Sequence, residues 1–168
     1  RAVGKRAHQM VEQQFECWRE KLAPALARNG IRFIDPENLK GTNRDYIDRF
    51  YHEEVRPVLT PLGIDSAHPF PQLRNKSLNL IVQLEIDRDG NKTRQLAIVQ
   101  VPRALPRLVP LPREDGRMDY VFLGKIIGHY LADIFPGNTV LGFWMFRLTR
   151  SSELYIDEEE VANLLKAV

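Results

Sequence analysis

The sequence predicts an α+β fold, in which helices pack on one side of a largely antiparallel or mixed sheet and a long N-terminal helix precedes the sheet. Two observations predict this class. Residues 77–87 alternate apolar and polar side chains, the period of a half-buried strand, and Asp89-Gly90 then turns the chain into a second strand at 93–101. The flanking segments instead repeat apolar residues every three or four positions, as amphipathic helices do.

The first helix is predicted over residues 3–29, where one apolar stripe includes Phe15 and Trp18. Pro24 is expected to kink or restart this helix, because proline lacks the amide hydrogen and clashes with the preceding turn. The sequence Asn-Gly at 29–30 is a good C-terminal stop. A short strand is predicted at residues 31–34.

A second helix is predicted to be capped by Thr42-Asn43 and closed by Pro57. Residues 58–75 contain three prolines and are predicted to form a rigid loop, because proline is excluded from helix interiors and inner strands. The strand that follows should bury one face, formed by Leu78, Leu80, Val82, Leu84 and Ile86.

The second half of the chain predicts further strands and helices. Residues 102–112 hold four prolines and are expected to form a stiff, extended connector. Residues 139–148 are apolar on both faces and predict a central strand. The remaining predicted elements are a strand at 118–122, a helix at 123–134, an edge strand at 153–156 and a last helix at 157–168. We expect five side chains to be buried in one sheet: Leu80, Val82, Val99, Trp144 and Phe146.

Composition bounds the class of protein. The chain has 168 residues, 43% hydrophobic and 27% charged, as ordinary globular domains do, and its net charge of +2 is too small to indicate a polyanion ligand. The single cysteine, Cys17, excludes an internal disulfide and a cysteine metal cluster and fits a reducing compartment. No apolar run reaches the length of a membrane span and no signal peptide is evident. Because Arg1 is not an initiator methionine, we expect a piece of a longer chain, with a leading helix at 1–30 and one domain at 31–168.

Motifs for common chemistry are missing. The sequence has neither a GxxxxGK[ST] loop nor a GxGxxG turn, and its four histidines do not have zinc-ligand spacing. Asp65, Ser66 and His68 have the residue types of a hydrolase triad, but no nucleophile elbow surrounds them. Two interpretations of His68 stay open: a functional group, or a residue that braces the rigid loop together with Asp65 and Asn75. The other histidines (His8, His52 and His129) are predicted at the surface or at helix edges.

Basic residues stand at strand ends and in loops, where guanidinium groups could converge on phosphate. The positions are Arg74, Lys76, Arg103, Arg107, Arg113, Arg147 and Arg150. The alternative is a set of scattered, solvated charges. Aromatic residues are not interleaved with these arginines, so a groove for single-stranded nucleic acid is not indicated.

One long segment resembles a known family. The run EEVRPVLTPLGIDSAHPFPQLRNKSLNLIVQLE, residues 53–85, is similar to the signature of the bacterial polyphosphate kinases, which make polyphosphate from ATP through a phosphohistidine. Three further segments match in order: VPRALPRLVPL, FPGNTV and FRLTRSSEL. The resemblance covers nearly the whole chain. Departures are mild, with Gly63 in place of an alanine and Ser151-Ser152 in place of an Asn-Ala pair.

The resemblance implies that this chain is the middle, or head, domain of such an enzyme. In that family the phosphorylated histidine and the magnesium and ATP contacts lie in later domains, so we assign no catalytic residue, no metal ligand and no cofactor to this chain. The family's middle domain is associated with subunit contacts and with the tunnel for polyphosphate. The candidate residues for that path are Arg147, Arg150, Arg107 and Lys76.

The expected partners are the other domains of the parent kinase, further copies of the same subunit, and polyphosphate, without nucleic acid or a transmembrane segment. The parent enzyme is expected in the cytoplasm, either free or peripheral to the membrane. Two other functions stay open from the sequence: a free-standing module that binds polyanions or proteins, and a small hydrolase built on His68.

Overall fold

The structure, a computed structural model, describes residues 2–64, 71–88, 90–113 and 117–149. Its first feature is a long helical arm. Helix α1 (Ala2–Cys17) continues through one π-helical turn, Trp18–Leu22, into α2 (Ala23–Arg28). Pro24, expected to kink or restart the helix, lies in the first turn of α2, directly after the π-helical turn. The arm is anchored at Trp18, whose ring meets Phe33 edge-on at 5.1 Å.

In the described ranges, seven strands form two sheets. A three-stranded sheet has the order β1-β6-β5, in which β1 and β6 are parallel and β5 and β6 are antiparallel. A four-stranded antiparallel sheet has the order β2-β4-β3-β7. The strands are β1 (Ile31–Phe33), β2 (Pro61–Ile64), β3 (Leu78–Arg88), β4 (Asn91–Gln100), β5 (Leu108–Pro110), β6 (Met118–Phe122) and β7 (Thr139–Arg147).

Short helical segments connect and cover these strands. They are a 3-10 turn at Pro36–Asn38, α3 (Thr42–Phe50), a π-helical turn at Tyr51–Val55, a 3-10 turn at Arg56–Val58, α4 (Leu123–His129) and α5 (Leu131–Ile134). The predicted cap at Thr42-Asn43 is wrong by one residue, because Gly41 precedes the first turn of α3 and has a positive φ of 54°. The predicted α+β class, with an N-terminal helix, is confirmed.

The prediction that residues 58–75 form only a loop is wrong at its start. Pro61–Ile64 forms β2, which pairs with β4 from Pro61 opposite Val99 to Ile64 opposite Leu96. β2 lies at the edge of the described sheet and its proline is the first residue of the strand. A proline is tolerated there because an edge strand leaves half of its amide groups without a ladder partner.

The core lies between one face of the four-stranded sheet and the helices. Leu80 and Val82 of β3, predicted to be buried, have no exposed surface, and Val99 of β4 is equally enclosed. They pack with the inner faces of α3 and α4, of which Ile47 and Ile126 are fully buried examples. Full burial of such side chains contributes about 1.5–3 kcal/mol each.

Among the described strands, β7 does not have the predicted central position. It pairs with β3 and lies at the edge of the described sheet. Trp144 stands opposite Ile81, on the side of the sheet away from the core, and 57% of it is exposed, so its predicted burial is wrong. Phe146 is only half-buried. The apolar residues on the second face of β7 therefore do not show that the strand is covered on both sides.

One buried carboxylate on the middle strand of the smaller sheet pairs with an arginine of β1 and with an arginine that follows β5. Asp119 of β6 is 3% exposed and accepts hydrogen bonds from Arg32 of β1, at 2.8 and 2.7 Å, and from Arg113. The hydrogen bond from Arg32, followed by the one from Arg113, holds the pKa of Asp119 below its usual value against the opposing effect of burial. Arg113 is thus an ion-pair residue of the scaffold.

The predicted strand at 153–156 and helix at 157–168 lie outside the described residues. Among the helices of the described ranges, none combines the length and the apolar character needed to cross a bilayer.

Candidate functional site

A buried polar network fixes the turn that leads into β3. The Ser77 hydroxyl donates to the carbonyl oxygen of Arg74 at 2.7 Å, and the Asn79 side-chain amide donates to the Ser77 hydroxyl and carbonyl oxygens, both at 3.0 Å. Ser77 is 4% exposed and Asn79 is fully buried. Buried polar groups that satisfy one another rigidify their surroundings. The turn from Arg74 to Ser77 is therefore held in one shape.

Lys76, in the middle of this turn, has a left-handed backbone with φ of 58°. It is the one non-glycine residue with a positive φ among the described parts of the chain. Its amide donates to the carbonyl oxygen of Leu148 at 2.8 Å, which fastens the start of β3 to the chain just beyond β7. A left-handed backbone costs a non-glycine residue roughly 1–2 kcal/mol, so the lysine side chain is kept here against a local cost.

The proline-rich connector is attached to the same turn. Arg103 donates from Nη2 to the carbonyl oxygen of Asn75 at 3.0 Å. Four residues later, the carbonyl oxygen of Arg107 accepts from the amide of Leu123, the first residue of α4, at 3.0 Å. The first half of the connector is thus attached to the rest of the domain at Arg103 and at Arg107.

Arg107 is the most enclosed cation at this end of the sheet. It is half-buried, and its Nη1 atom is buried without a hydrogen-bond partner in the described parts of the chain. Burial, followed by the repulsion of Arg147 and Arg103, lowers the pKa of the Arg107 guanidinium. Three like charges, two from the connector and one from the end of β7, therefore repel one another, and unpaired buried donors are costly in folded proteins.

We call Arg74, Lys76, Arg103, Arg107 and Arg147 the basic cluster. None of the five forms an ion pair with a carboxylate of the described residues. Other basic side chains of the described residues do form ion pairs with carboxylates: Arg44 with Asp48, Lys92 with Glu85, and Lys125 with Asp35. A group of close, unpaired guanidinium groups lowers its energy when an anion enters, and arginine forks match phosphate oxygens in pairs.

The predicted path residues are therefore brought together in part. Arg107 and Arg147 interact, and Lys76 lies on the turn fastened to the end of β7. Arg150 lies outside the described residues, as do the predicted loop-bracing residues Asp65 and His68.

Asn75, the third predicted loop-bracing residue, contributes its backbone carbonyl to Arg103. Arg74 and Arg103 were not among the predicted path residues. Both are among the basic residues at strand ends and in loops that the sequence indicates could converge on phosphate, but spacing alone could not show that they lie near each other.

The remaining histidines lie away from the basic cluster. His8 is exposed on α1, while His52 and His129 meet the ring of Tyr130 edge-on, at 6.0 and 5.0 Å. Tyr130 stacks on Tyr51 at 4.0 Å and donates its hydroxyl to Asp48. Burial, followed by the negative charge of Asp133, raises the pKa of Tyr51 to about 12. This aromatic group is a packing feature of the core.

The described residues contain no group of three or more histidine, cysteine, aspartate or glutamate side chains that could hold a metal ion. The basic cluster itself offers guanidinium and ammonium donors, which do not ligate cations. Its chemistry fits the binding of an anion.

Comparison with known proteins supplies a family for this arrangement. Residues 42–168 match the family described as polyphosphate kinase middle domain. The chain is 40% identical over 171 residues to a polyphosphate kinase of Xylella fastidiosa and 42% identical over 168 residues to one of Neisseria gonorrhoeae. Each alignment covers 99% of this chain but 24% of the relative, so the chain spans about a quarter of the length of these relatives.

A solved structure agrees with these sequence comparisons. The crystal structure of polyphosphate kinase from Porphyromonas gingivalis matches with a TM-score of 0.80 and 26% identity, over 98% of this chain and 27% of that chain. The similarity includes the N-terminal helical arm as well as the two sheets, since almost the whole chain is covered.

Proposed function

The chain belongs to the polyphosphate kinase family, as its middle domain, and on that premise we propose that its basic cluster binds the inorganic polyphosphate that the parent enzyme extends. The observation that carries this proposal is the half-buried Arg107, whose Nη1 lacks a partner in the described chain while Arg147 and Arg103 add positive charge beside it. A phosphate oxygen would supply the missing acceptor and offset the repulsion.

The proposed role is non-catalytic. The parent enzyme would transfer the terminal phosphate of ATP to the growing chain with magnesium and a phosphorylated histidine, none of which we assign to this domain. The domain would guide the product, and its outer surfaces would contact the other domains and further subunits of a cytoplasmic enzyme.

The distribution of positive charge in the basic cluster supports a path along which polyphosphate runs, rather than a single point at which it is held. The basic cluster is drawn from the turn before β3, the proline-rich connector and the last residue of β7, so its charges are spread along one end of the sheet. Repeating phosphates could contact several of these residues in succession. Binding of this kind is dominated by charge and weakens steeply with salt.

The test is a pair of substitutions, Arg107→Gln and Arg147→Gln, in the complete polyphosphate kinase polypeptide. We expect weaker polyphosphate binding, a smaller salt dependence of that binding, and shorter products, while ATP still labels the catalytic histidine. The control is Arg88→Gln, at the other end of β3 and roughly 33 Å away at 3.3 Å per residue.

Two results would contradict the proposal. The first is unchanged polyphosphate affinity and product length in both variants, with only a lower melting temperature. The second is an equal loss of affinity in the Arg88→Gln control, which would mean that net charge alone decides binding. The 168-residue chain by itself, given ATP, magnesium and a polyphosphate primer, should show neither chain growth nor a labelled histidine.

A further inference from the structure

Beside the basic cluster lies an open pocket of about 320 Å³. Its position differs from that of the Arg107–Arg147 pair, because it is bordered by β2, by the end of β4 and by the first residues of the connector. Pockets for small organic ligands start at about 300 Å³, so this one has room for a molecule of the size of one nucleotide.

Two arginines line the pocket. Arg103 is fixed there by its hydrogen bond from Nη2 to the carbonyl oxygen of Asn75, which leaves the rest of its fork unused by the described residues. Arg74 reaches the pocket from the turn whose shape Ser77 and Asn79 fix. Two guanidinium groups on a rigid backbone form a site for a phosphate group that needs little reorganisation.

Apolar residues also line the pocket. They include Val58, Leu62 and Val101, of which Val101 is 3% exposed. A bare phosphate chain gains nothing from such a surface, because every atom that it presents is a hydrated oxygen. A ligand with an apolar, flat portion would bury that portion here, at roughly 25 cal/mol for each Å² removed from water.

A polar side chain adds a possible means of recognition. Gln100, the last residue of β4, lines the pocket and is half-buried. A side-chain amide offers both a donor and an acceptor, which is the pattern needed to pair with the edge of a heterocyclic ring. The pocket thus contains three kinds of contact, for a phosphate, a flat apolar body and a polar ring edge.

From this combination we infer that the pocket binds a nucleoside mono- or diphosphate, with its phosphate on Arg103 and Arg74 and its ring against Val58 and Leu62. The inference does not require that polyphosphate follows the basic cluster. If polyphosphate does, Arg103 and Arg74 would belong to both sites, and the nucleotide and the polyphosphate would compete for them.

The experiment is a binding titration on the 168-residue chain by calorimetry, with backbone amide shifts to locate the ligand. The probes are AMP, ADP, adenosine and inorganic triphosphate. We expect AMP and ADP to bind and to shift the amides of Leu62 and Gln100. Adenosine and inorganic triphosphate should each bind about tenfold more weakly than ADP, because each lacks one half of the recognition.

Three variants separate the two halves of the site. Arg103→Gln should weaken the binding of ADP about tenfold and leave the binding of adenosine unchanged. Leu62→Ser should instead weaken the binding of both ADP and adenosine and leave the binding of inorganic triphosphate unchanged. Arg103→Lys keeps the positive charge but loses the planar fork of the guanidinium group. Its affinity for ADP should lie between that of the native chain and that of Arg103→Gln. The matched control, Arg88→Gln, removes the same charge far from the pocket and should bind ADP as the native chain does.

The inference is overturned if inorganic triphosphate binds as tightly as ADP and Leu62→Ser changes the affinity for neither ligand. The pocket is then only a phosphate site. The inference is also overturned if ADP shifts no amide of the pocket, or if Arg88→Gln weakens ADP as much as Arg103→Gln. Failure of the polyphosphate proposal has a different signature, since that proposal depends on Arg107 and Arg147 and on the length of the product.

Discussion

Gly128 of α4 lies directly under the ring of Phe143 of β7. A Cβ atom at residue 128 would overlap that ring, and one at Gly124, a turn earlier, would stand 2.7 Å from the sulfur of Met145. The two glycines therefore let α4 approach the edge strand closely, and β7 owes its inner packing to them. This is why a helix with two internal glycines is retained in spite of their low helix propensity.

Gly128→Ala should lower the free energy of unfolding by about 1–3 kcal/mol, because the added methyl group forces the Phe143 ring to move. Chemical denaturation measures this. Combining it with Phe143→Leu should recover part of the loss, since the shorter side chain leaves room. The matched control is Gly4→Ala in α1, where a Cβ meets nothing within 4 Å and the substitution should be neutral or stabilising. Equal losses at both glycines would contradict the close approach.

Asp119→Asn should cost about 3 kcal/mol, since it removes the buried charge that two arginines share. The sign of the pH dependence follows from the lowered pKa. The folded pKa of Asp119 lies below its unfolded value of 3.8, so its contribution is complete above that value and is lost as pH falls through the lower, folded pKa. The stability difference between native and variant chains should be constant from pH 7 to about pH 5 and shrink below it. A difference that grows towards low pH would refute the assignment.

Substitutions of Lys76 separate the effect of its left-handed backbone on stability from the effect of its charge on polyphosphate binding. Lys76→Gly should raise the free energy of unfolding by about 1 kcal/mol, because glycine adopts the left-handed backbone without strain. Lys76→Ala should not, since alanine keeps the strain. Both variants lose the same charge and should weaken polyphosphate binding equally. If glycine fails to stabilise the chain relative to alanine, the backbone at residue 76 is not strained.

Trp144→Ala should lower the free energy of unfolding by less than about 1 kcal/mol, because most of the ring is exposed and it lies over Gly142 of its own strand. Leu80→Ala, on the buried face of the same sheet, should cost about 2–5 kcal/mol and serves as the comparison. A Trp144 loss as large as the Leu80 loss would show that the outer face of the sheet is covered.

Much of the fold could be predicted from periodicity because alternation is a local property. The strand at Leu78–Arg88, its hairpin with Asn91–Gln100 and the burial of Leu80 and Val82 all follow from residues that are neighbours in the chain. The position of a strand within its sheet is not local. Residues 139–148 look central because both of their faces are apolar, yet β7 has one strand partner in the described sheet.

The candidate site shows the same limit. The arginines could be recognised as phosphate-binding residue types, and three of the four predicted path residues do lie at one end of the sheet. What periodicity could not predict is the pair of buried side chains, Ser77 and Asn79, that shapes the turn. Both stand at polar positions of the alternation over residues 77–87, a pattern that indicates an outward face and gives no sign of their mutual hydrogen bonds.

The crowding of Arg107 against Arg147 and Arg103 also has a thermodynamic side. Arg147 lies far along the chain from Arg107, so the repulsion between these two residues is present mainly in the native state and opposes folding. An anion that enters the basic cluster then becomes part of the folding equilibrium: at a hundred times its dissociation constant it adds about 2.7 kcal/mol to native stability. The domain would be most stable with the anion bound and least stable without it. Its lifetime would therefore depend on the concentration of its own ligand.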